Sequence, residues 1–203
     1  MFWSRTKRVV FVHVYKTGGT SIRQAFAPYA SALPASVTPH APASKLKTLL
    51  GQQHPEVLDY LWFAVVRNPF DLVVSLWSYI KVTPKHHDHE RVKHLAFSEF
   101  VQWLHQENNQ ASAGLELPPY PTISDFLCSP TGELLVDEVL RFETLDQDFQ
   151  KLCDTLNFEI ELPKLNQTKH QPFQNYYDEL SIQLVSELFT DDLDRFNYQF
   201  ESD

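Results

Sequence analysis

The stretch Tyr15–Ser21, YKTGGTS, places a lysine, two adjacent glycines and several hydroxyl side chains in one short segment. Adjacent glycines let a ligand approach the backbone closely, and the lysine adds a full positive charge. If a helix starts at Thr20, its first N–H groups add further hydrogen-bond donors. Together these groups can bind a phosphate or a similar oxyanion. The stretch therefore predicts an anion site, and the alternative is a plain strand–turn–helix joint with a solvated lysine.

A second cation, Arg67, follows the apolar run Leu61–Val66. The carboxyl ends of parallel strands share one edge of a sheet, and open α/β sheets bind their ligands there. Arg67 is therefore expected at the same edge as Lys16. Ser75 lies two turns along the helix predicted after Arg67, where it could hydrogen-bond an anion held by the arginine. Because the chain carries a net charge of −9, two cations at neighbouring strand ends form a coherent anion site.

Hydrophobic patterns place these residues on strands and helices. Apolar, β-branched runs predict buried strands at Val9–Val14, Leu61–Val66 and Val136–Phe142. Helices are predicted at Thr20–Ala27, Ser44–Leu50, Asn68–Lys81, Ser98–Gln106, Leu145–Leu156 and Asp178–Phe189. This alternation predicts an α/β fold of three α/β/α layers around a central, mainly parallel sheet, similar to P-loop nucleotide-binding folds. The length of 203 residues predicts a single domain over residues 1–203.

Composition and motif order argue against several function classes. The excess of acidic residues argues against nucleic acid as a partner, and no apolar run is long enough to cross a bilayer. Ordinary nucleoside triphosphatases carry the pattern GxxxxGK(S/T), whereas Lys16 precedes its glycines. The histidines His86, His87 and His89 lack an ordered spacing with a fourth ligand. We therefore expect a solvated loop there and no metal site.

Two segments in order, HVYKTGGTSI and FAVVRNPFDLVVSLW, resemble the sulfotransferase superfamily, specifically its carbohydrate and Golgi-type branch and the bacterial relatives of that branch. VDEVLRFETLDQDFQKLCDTL and the ending DDLDRFNYQF also resemble the C-terminal half of that family. The similarity thus spans nearly the whole chain. It implies an enzyme of the sulfotransferase family 2 type that uses 3′-phosphoadenosine 5′-phosphosulfate (PAPS) as its donor. Such an enzyme moves the sulfuryl group to a hydroxyl or amine of a carbohydrate or small-molecule acceptor by in-line displacement, without a metal.

The resemblance also assigns residues to the donor. The loop around the 5′-phosphosulfate would consist of Lys16, Thr17, Gly18, Gly19, Thr20 and Ser21. Arg67 and Ser75 would hold the 3′-phosphate, and Lys169 would add a phosphate contact from a C-terminal loop. Lys16 would also neutralise the charge that develops on the bridging oxygen as the phosphate leaves, which makes it a predicted catalytic residue.

The acceptor needs a general base, and histidine suits that role near neutral pH. His40 lies between the two donor-binding segments, where relatives often carry a histidine or glutamate, and we predict that it is the base. The alternative is an exposed loop histidine. Glu56 and Asp59 are weaker candidates for the same role. His13, within the first predicted strand, is expected to be a core histidine with its hydrogen bonds satisfied.

The short chain without an anchor or stem favours a cytoplasmic, bacterial enzyme with no membrane partner over a Golgi protein. Two alternatives stay open beside the enzyme. A non-catalytic nucleotide-binding module of the same fold would keep Lys16, Arg67 and Ser75 but would need no base. A nucleotide kinase-like phosphotransferase is disfavoured by the order of residues in the loop. The sequence does not identify the acceptor.

Overall fold

The computed structural model describes residues 1–111, 117–163 and 171–201. The chain divides into two compact units. The first comprises Met1–Arg67 and Ile123–Gln167, and the second comprises Asn68–Thr122 and Thr168–Asp203. The prediction of a single domain over residues 1–203 stays a prediction beside this division.

Four strands form one sheet, and all of them belong to the first unit. They are β1 (Phe2–Ser4), β2 (Val9–Val12), β3 (Leu61–Val66) and β4 (Glu138–Arg141), and their order in the sheet follows their order in the chain. β2, β3 and β4 are parallel, whereas β1 pairs antiparallel with β2. In register, Val12 lies beside Ala64 and Val66 beside Arg141. The carboxyl ends of β2, β3 and β4 therefore share one edge of the sheet.

Nine α-helices occur in the described part of the chain. They are α1 (Gly19–Ala25), α2 (Ala43–Gln53), α3 (Pro69–Val82), α4 (His89–Val92), α5 (Phe97–Ala111), α6 (Ile123–Leu127), α7 (Leu145–Thr155), α8 (Glu179–Leu188) and α9 (Thr190–Phe196). α1, α2, α6 and α7 belong to the first unit, and the other five belong to the second. The first unit is therefore an α/β structure, and the described secondary structure of the second is helical.

The core of the first unit is rich in aromatic rings. Phe2 of β1 stacks on Phe26 with ring centroids 4.6 Å apart, and Phe11 of β2 lies 5.1 Å from Phe63 of β3. All four side chains are at most 4% exposed. Such rings bury a large apolar area, and that burial is the main favourable term in folding. Because β2 and β3 are packed within this core, the backbone positions from which the loops at their carboxyl ends begin are fixed.

The second unit shows how local sequence sets helix ends. The side chain of Asn68 accepts a hydrogen bond from the N–H of Phe70 at 3.1 Å, and Pro69 occupies the first helical position of α3. At α8, Asp178 and Ser181 form a capping box. Both helices start within one residue of their predicted bounds.

The sequence predictions of fold and elements hold for most of the chain. The α/β fold with a mostly parallel sheet is confirmed, and β3 has the predicted bounds. Taking Val9–Val14 as the first strand was wrong, because Phe2–Ser4 precedes it and β2 itself ends at Val12. The three-layer arrangement and the likeness to P-loop folds stay predictions. No helix within the described ranges combines the length and the hydropathy needed to cross a membrane.

Candidate active site

The loop that follows β2 makes a tight turn before α1. Two of its residues have positive φ, Lys16 at 59° and Gly18 at 80°. The buried hydroxyl of Thr17 donates to the carbonyl of Val14 at 2.8 Å, and the N–H of Ser21 donates to the carbonyl of Gly18 at 3.0 Å. These bonds satisfy the carbonyl oxygens of Val14 and Gly18 within the turn. The loop is therefore held by its own hydrogen bonds.

Both glycines are required by neighbouring side chains. A Cβ on Gly18 would lie 2.9 Å from Cδ2 of Leu145, and the positive φ of Gly18 also disfavours a side chain. A Cβ on Gly19 would lie 2.0 Å from Cδ2 of His13. Such contacts are too short for real atoms. The sequence interpretation explained both glycines by the approach of a phosphate, whereas packing inside the protein already requires them.

Lys16 is an unusual residue for its position. A left-handed backbone costs a residue with a side chain about 1–2 kcal/mol, and its φ is 59°. Its side chain is half-buried. Burial, with a smaller contribution from the positive charge of Arg67, lowers the pKa of Lys16 from 10.5 to about 8. The fold thus keeps a lysine where both backbone and charge are disfavoured, a feature that clusters at functional sites.

Arg67 follows the last residue of β3 and is only 5% exposed. It donates a hydrogen bond from one terminal nitrogen, Nη1, to the carbonyl of Lys16 at 2.8 Å. Its guanidinium lies over the ring of Phe142, with Cζ 4.1 Å from the ring centroid. The structure therefore brings Lys16 and Arg67 together. It also gives Arg67 a second task, holding the loop, while its contact with a phosphate stays a prediction.

The segment after β4 contributes residues that the sequence analysis did not assign. Phe142 supports the guanidinium of Arg67, and Leu145 packs against Gly18. Their only signal in the sequence is their place, at the end of the third predicted strand and at the start of the helix predicted after it. An aromatic residue there is also expected of ordinary core packing, so sequence alone could not separate the two roles.

His40 lies beside the residue that follows β2. Its Nδ1 is 3.0 Å from the carbonyl oxygen of His13. A carbonyl oxygen can only accept, so Nδ1 of His40 carries the proton and Nε2 presents a lone pair. The two histidine rings lie 4.4 Å apart, centroid to centroid. His40 is an exposed residue overall, yet the desolvation of its ring by the protein packed against it lowers its pKa below the ordinary 6.5.

The other two candidates for the base lie elsewhere in the first unit. Glu56, in the 3₁₀ turn before β3, forms an ion pair at 3.3 Å with Arg5, which lies in the turn before β2. Asp59 ends the same 3₁₀ turn. Both are at the amino ends of the parallel strands, whereas Lys16 is at the carboxyl end. Among the three candidates, only His40 lies at the edge that carries Lys16.

Comparison with known proteins identifies the family. A protein-family sequence model, described as the sulfotransferase family, matches residues 1–199. The chain belongs to the sulfotransferase family. A search of curated proteins gave no match. Membership implies a transferase, and it agrees with the resemblance that the two sequence motifs carry.

The remaining residues that the sulfotransferase resemblance assigns lie in different parts of the chain and differ in burial. Thr20 is exposed and Ser21 is buried, both in the first turn of α1. Ser75 is buried in α3 of the second unit, and its pairing with Arg67 stays a prediction. Lys169 lies outside the described residues.

The histidine-rich segment of the chain forms a small polar cluster in the second unit. Its potential ligand atoms, from His86, His87 and Asp88, lie within 4.8 Å of one another. Asp88 Oδ2 is 2.9 Å from Nε2 of His87 and accepts the hydroxyl hydrogen bond of Tyr120. The N–H of Asp88 donates to Nδ1 of His86 at 3.2 Å. These contacts account for the cluster without an ion, and the expectation of no metal stays a prediction.

Proposed function

We propose that this sulfotransferase-family chain moves the sulfuryl group of PAPS to a hydroxyl or amine of a carbohydrate or small-molecule acceptor by in-line displacement. The observation that carries the proposal is the contact between Arg67 and the Lys16 loop at the carboxyl edge of the sheet. Two cations held together inside an acidic protein favour a ligand with anionic groups. PAPS is such a ligand, and the family generally uses it as donor.

The donor would lie against the loop of residues 16–21. Lys16 supplies the charge that would neutralise the bridging oxygen as the bond to sulfur breaks. The N–H groups and hydroxyls at the start of α1 would donate to the oxygens of the 5′-phosphosulfate, and Arg67 would contact the 3′-phosphate. Because the loop is already ordered by Thr17 and Arg67, little reorganisation is needed when charge develops.

His40 would act as the base. Its Nδ1 proton is bound to the carbonyl of His13, so its Nε2 can accept the proton of the acceptor hydroxyl. The lowered pKa of His40 keeps the ring neutral, and therefore able to accept that proton, at neutral pH and somewhat below. In the transfer, the acceptor oxygen would form a bond to sulfur while the bond between sulfur and the bridging oxygen of PAPS breaks. The acceptor proton would pass to Nε2 of His40, and 3′-phosphoadenosine 5′-phosphate (PAP) would be the second product.

The experiment is a transfer assay with PAPS labelled with radioactive sulfur and a panel of sugars and small alcohols, in which labelled product and PAP are measured. We expect turnover without added metal and a loss of about 10²–10⁴-fold in His40→Ala, because that is the usual contribution of a general base. His94→Ala, an exposed histidine of the second unit, is the matched control and should keep full turnover.

Two outcomes would favour the alternatives. If PAP binds but no acceptor is sulfated, the chain would be better described as a non-catalytic nucleotide-binding module. If ATP binds only with Mg²⁺ and PAP does not bind, a phosphotransferase would be favoured instead. Equal turnover in His40→Ala and wild type would rule out His40 as the base while leaving the donor site intact.

A further inference from the structure

His13 is a buried histidine that the core does not satisfy. Its side chain is 7% exposed, and its Nδ1 is buried without a hydrogen-bond partner among the described residues. A buried polar nitrogen in that state destabilises a fold, whereas an apolar ring of similar size would not. The expectation of a core histidine with satisfied hydrogen bonds is therefore wrong in its second part. A residue that lowers stability at the edge of a site suggests a functional role.

The ring of His13 is held between three neighbours. It stacks on Phe11 with centroids 5.5 Å apart and contacts the ring of His40 at 4.4 Å. On its remaining side it occupies the space where a side chain of Gly19 would lie, since a Cβ there would be 2.1 Å from Nε2 of His13. The absence of a side chain at Gly19 thus makes room for this ring. Its orientation is fixed by its neighbours.

His13 acts on His40 in two ways. Its carbonyl oxygen accepts the Nδ1 proton of His40, which selects the tautomer with a lone pair on Nε2. Its ring packs against the inner side of His40, which restricts the plane of that ring. A loop histidine with only the backbone contact could rotate about its own side-chain bonds. With both contacts it is held.

We propose that His13 is the positioning residue for His40: its carbonyl fixes the proton on Nδ1, and its ring holds the His40 plane so that Nε2 faces the acceptor. The consequence for turnover rests on the proposed function, whereas the consequence for the tautomer does not. Burial, followed by nearby positive charge, lowers the pKa of His13 to about 2. His13 therefore stays uncharged and does not repel His40 when His40 takes up a proton. The cations that act on both rings are Arg23 of α1 and the amino group of Met1.

The test measures His40 directly and then turnover. Long-range ¹H–¹⁵N spectra of the full chain, assigned with His40→Gln, report the tautomer and the pKa of each histidine ring. In the wild type we expect the Nδ1–H tautomer and a pKa below 6.5 for His40. In His13→Ala the backbone carbonyl remains and should keep the Nδ1–H tautomer, whereas the pKa of His40 should rise towards its ordinary value because solvent reaches the ring. His13→Phe keeps a ring between Phe11 and His40 and should preserve both.

In the transfer assay, His13→Ala should lower kcat about tenfold or more and shift the acidic limb of its pH profile upwards, while KM for PAPS changes little. His13→Phe should recover most of kcat. An unchanged pKa of His40 in His13→Ala would overturn the proposal. So would equal loss of turnover in both variants, which would mean that the imidazole itself does chemistry. A fixed tautomer in a wild type that transfers no sulfuryl group would leave the positioning role intact and refute the proposed function.

Discussion

The Lys16–Gly19 loop and the His86–Asp88 cluster both contain several polar side chains. Their surroundings differ, because those of the loop disfavour a charged side chain and those of the cluster provide partners for it. In the loop, burial and the charge of Arg67 both disfavour the protonated Lys16 and lower its pKa. In the cluster, Asp88 lies against His87 and accepts a hydrogen bond from Tyr120, so the polar groups satisfy one another at the surface.

This difference separates the candidate site from a polar surface. A cluster whose members pair with one another has little left to offer a ligand. A loop that holds a lysine at an energetic cost gains stability when an anion arrives, because the anion favours the charged form. From the sequence, we predict an anion site in the loop and a solvated segment around the histidines. The surroundings of each group are consistent with that distinction.

The strongest test of the comparison removes one lysine from each region. Lys16→Ala should lower turnover about 10²–10³-fold, since it removes a charge that stabilises the transition state. Lys85→Ala, an exposed lysine beside the histidine cluster, should leave turnover unchanged. Both are measured by sulfuryl transfer at saturating PAPS. Similar small losses in the two variants would contradict the distinction between the regions.

A second prediction concerns the packing of the His13 ring against Gly19. Gly19→Ala should destabilise the protein by about 1–3 kcal/mol, because the new Cβ must displace the ring of His13. In the His13→Ala background the same change should cost much less, since the ring that it meets is gone. Chemical denaturation of both single variants and the double variant measures this coupling. Additive effects would show that the clash with His13 is not the cause.

Much of the fold could be predicted because its signals are local. β3 is a continuous apolar run that ends before Asn68 and Pro69, which start a helix, and those residues set its bounds. β1 could not be predicted, because three residues carry no periodicity and the strand exists only by pairing with β2. α9 was not predicted as a separate helix, because Thr190–Phe196 follows α8 after only a short break.

The site divides along the same line. Lys16, the glycines and Arg67 could be found because each follows a strand whose apolar run is evident. The contact between His13 and His40 joins residues far apart in the chain through the packing of a loop, and no local sequence pattern predicts it. The support of Arg67 by Phe142 is equally non-local. Sequence therefore identified the charged groups, and the structure adds the neighbours that orient them.

The pH dependence of ligand binding tests the lowered pKa of Lys16. Anions bind the charged lysine, and Lys16 loses its proton as the pH rises through about 8. The affinity for PAP should therefore fall above that pH, by up to about tenfold per pH unit. The phosphates themselves are already fully ionised there. Calorimetry between pH 7 and pH 9.5, with the heat corrected for the ionisation of the buffer, measures the effect.

Lys16→Arg is the control for this titration, because arginine keeps its charge over the whole range. Its affinity for PAP should not fall between these pH values. A wild-type affinity that stays constant to pH 9.5 would mean that Lys16 keeps an ordinary pKa or does not contact the ligand.

The smallest effect is expected in the histidine cluster. His87→Ala removes an exposed contact with Asp88 and should change the free energy of unfolding by about 1 kcal/mol or less. Turnover should be unaffected. Thermal and urea denaturation, with the transfer assay alongside, measure both quantities. A large loss of turnover would move the histidine cluster from polar surface to functional site.

The most direct measurement for the central claim is a calorimetric titration of the wild-type protein with PAP, 5′-AMP and ATP, without metal. If the Lys16 loop and Arg67 form the donor site of a PAPS-dependent enzyme, PAP should bind at least about tenfold more tightly than 5′-AMP, because one added phosphate contact is worth about 1.5–3 kcal/mol. ATP should bind more weakly than PAP. Equal binding of the three nucleotides, or no binding of PAP, would contradict the account.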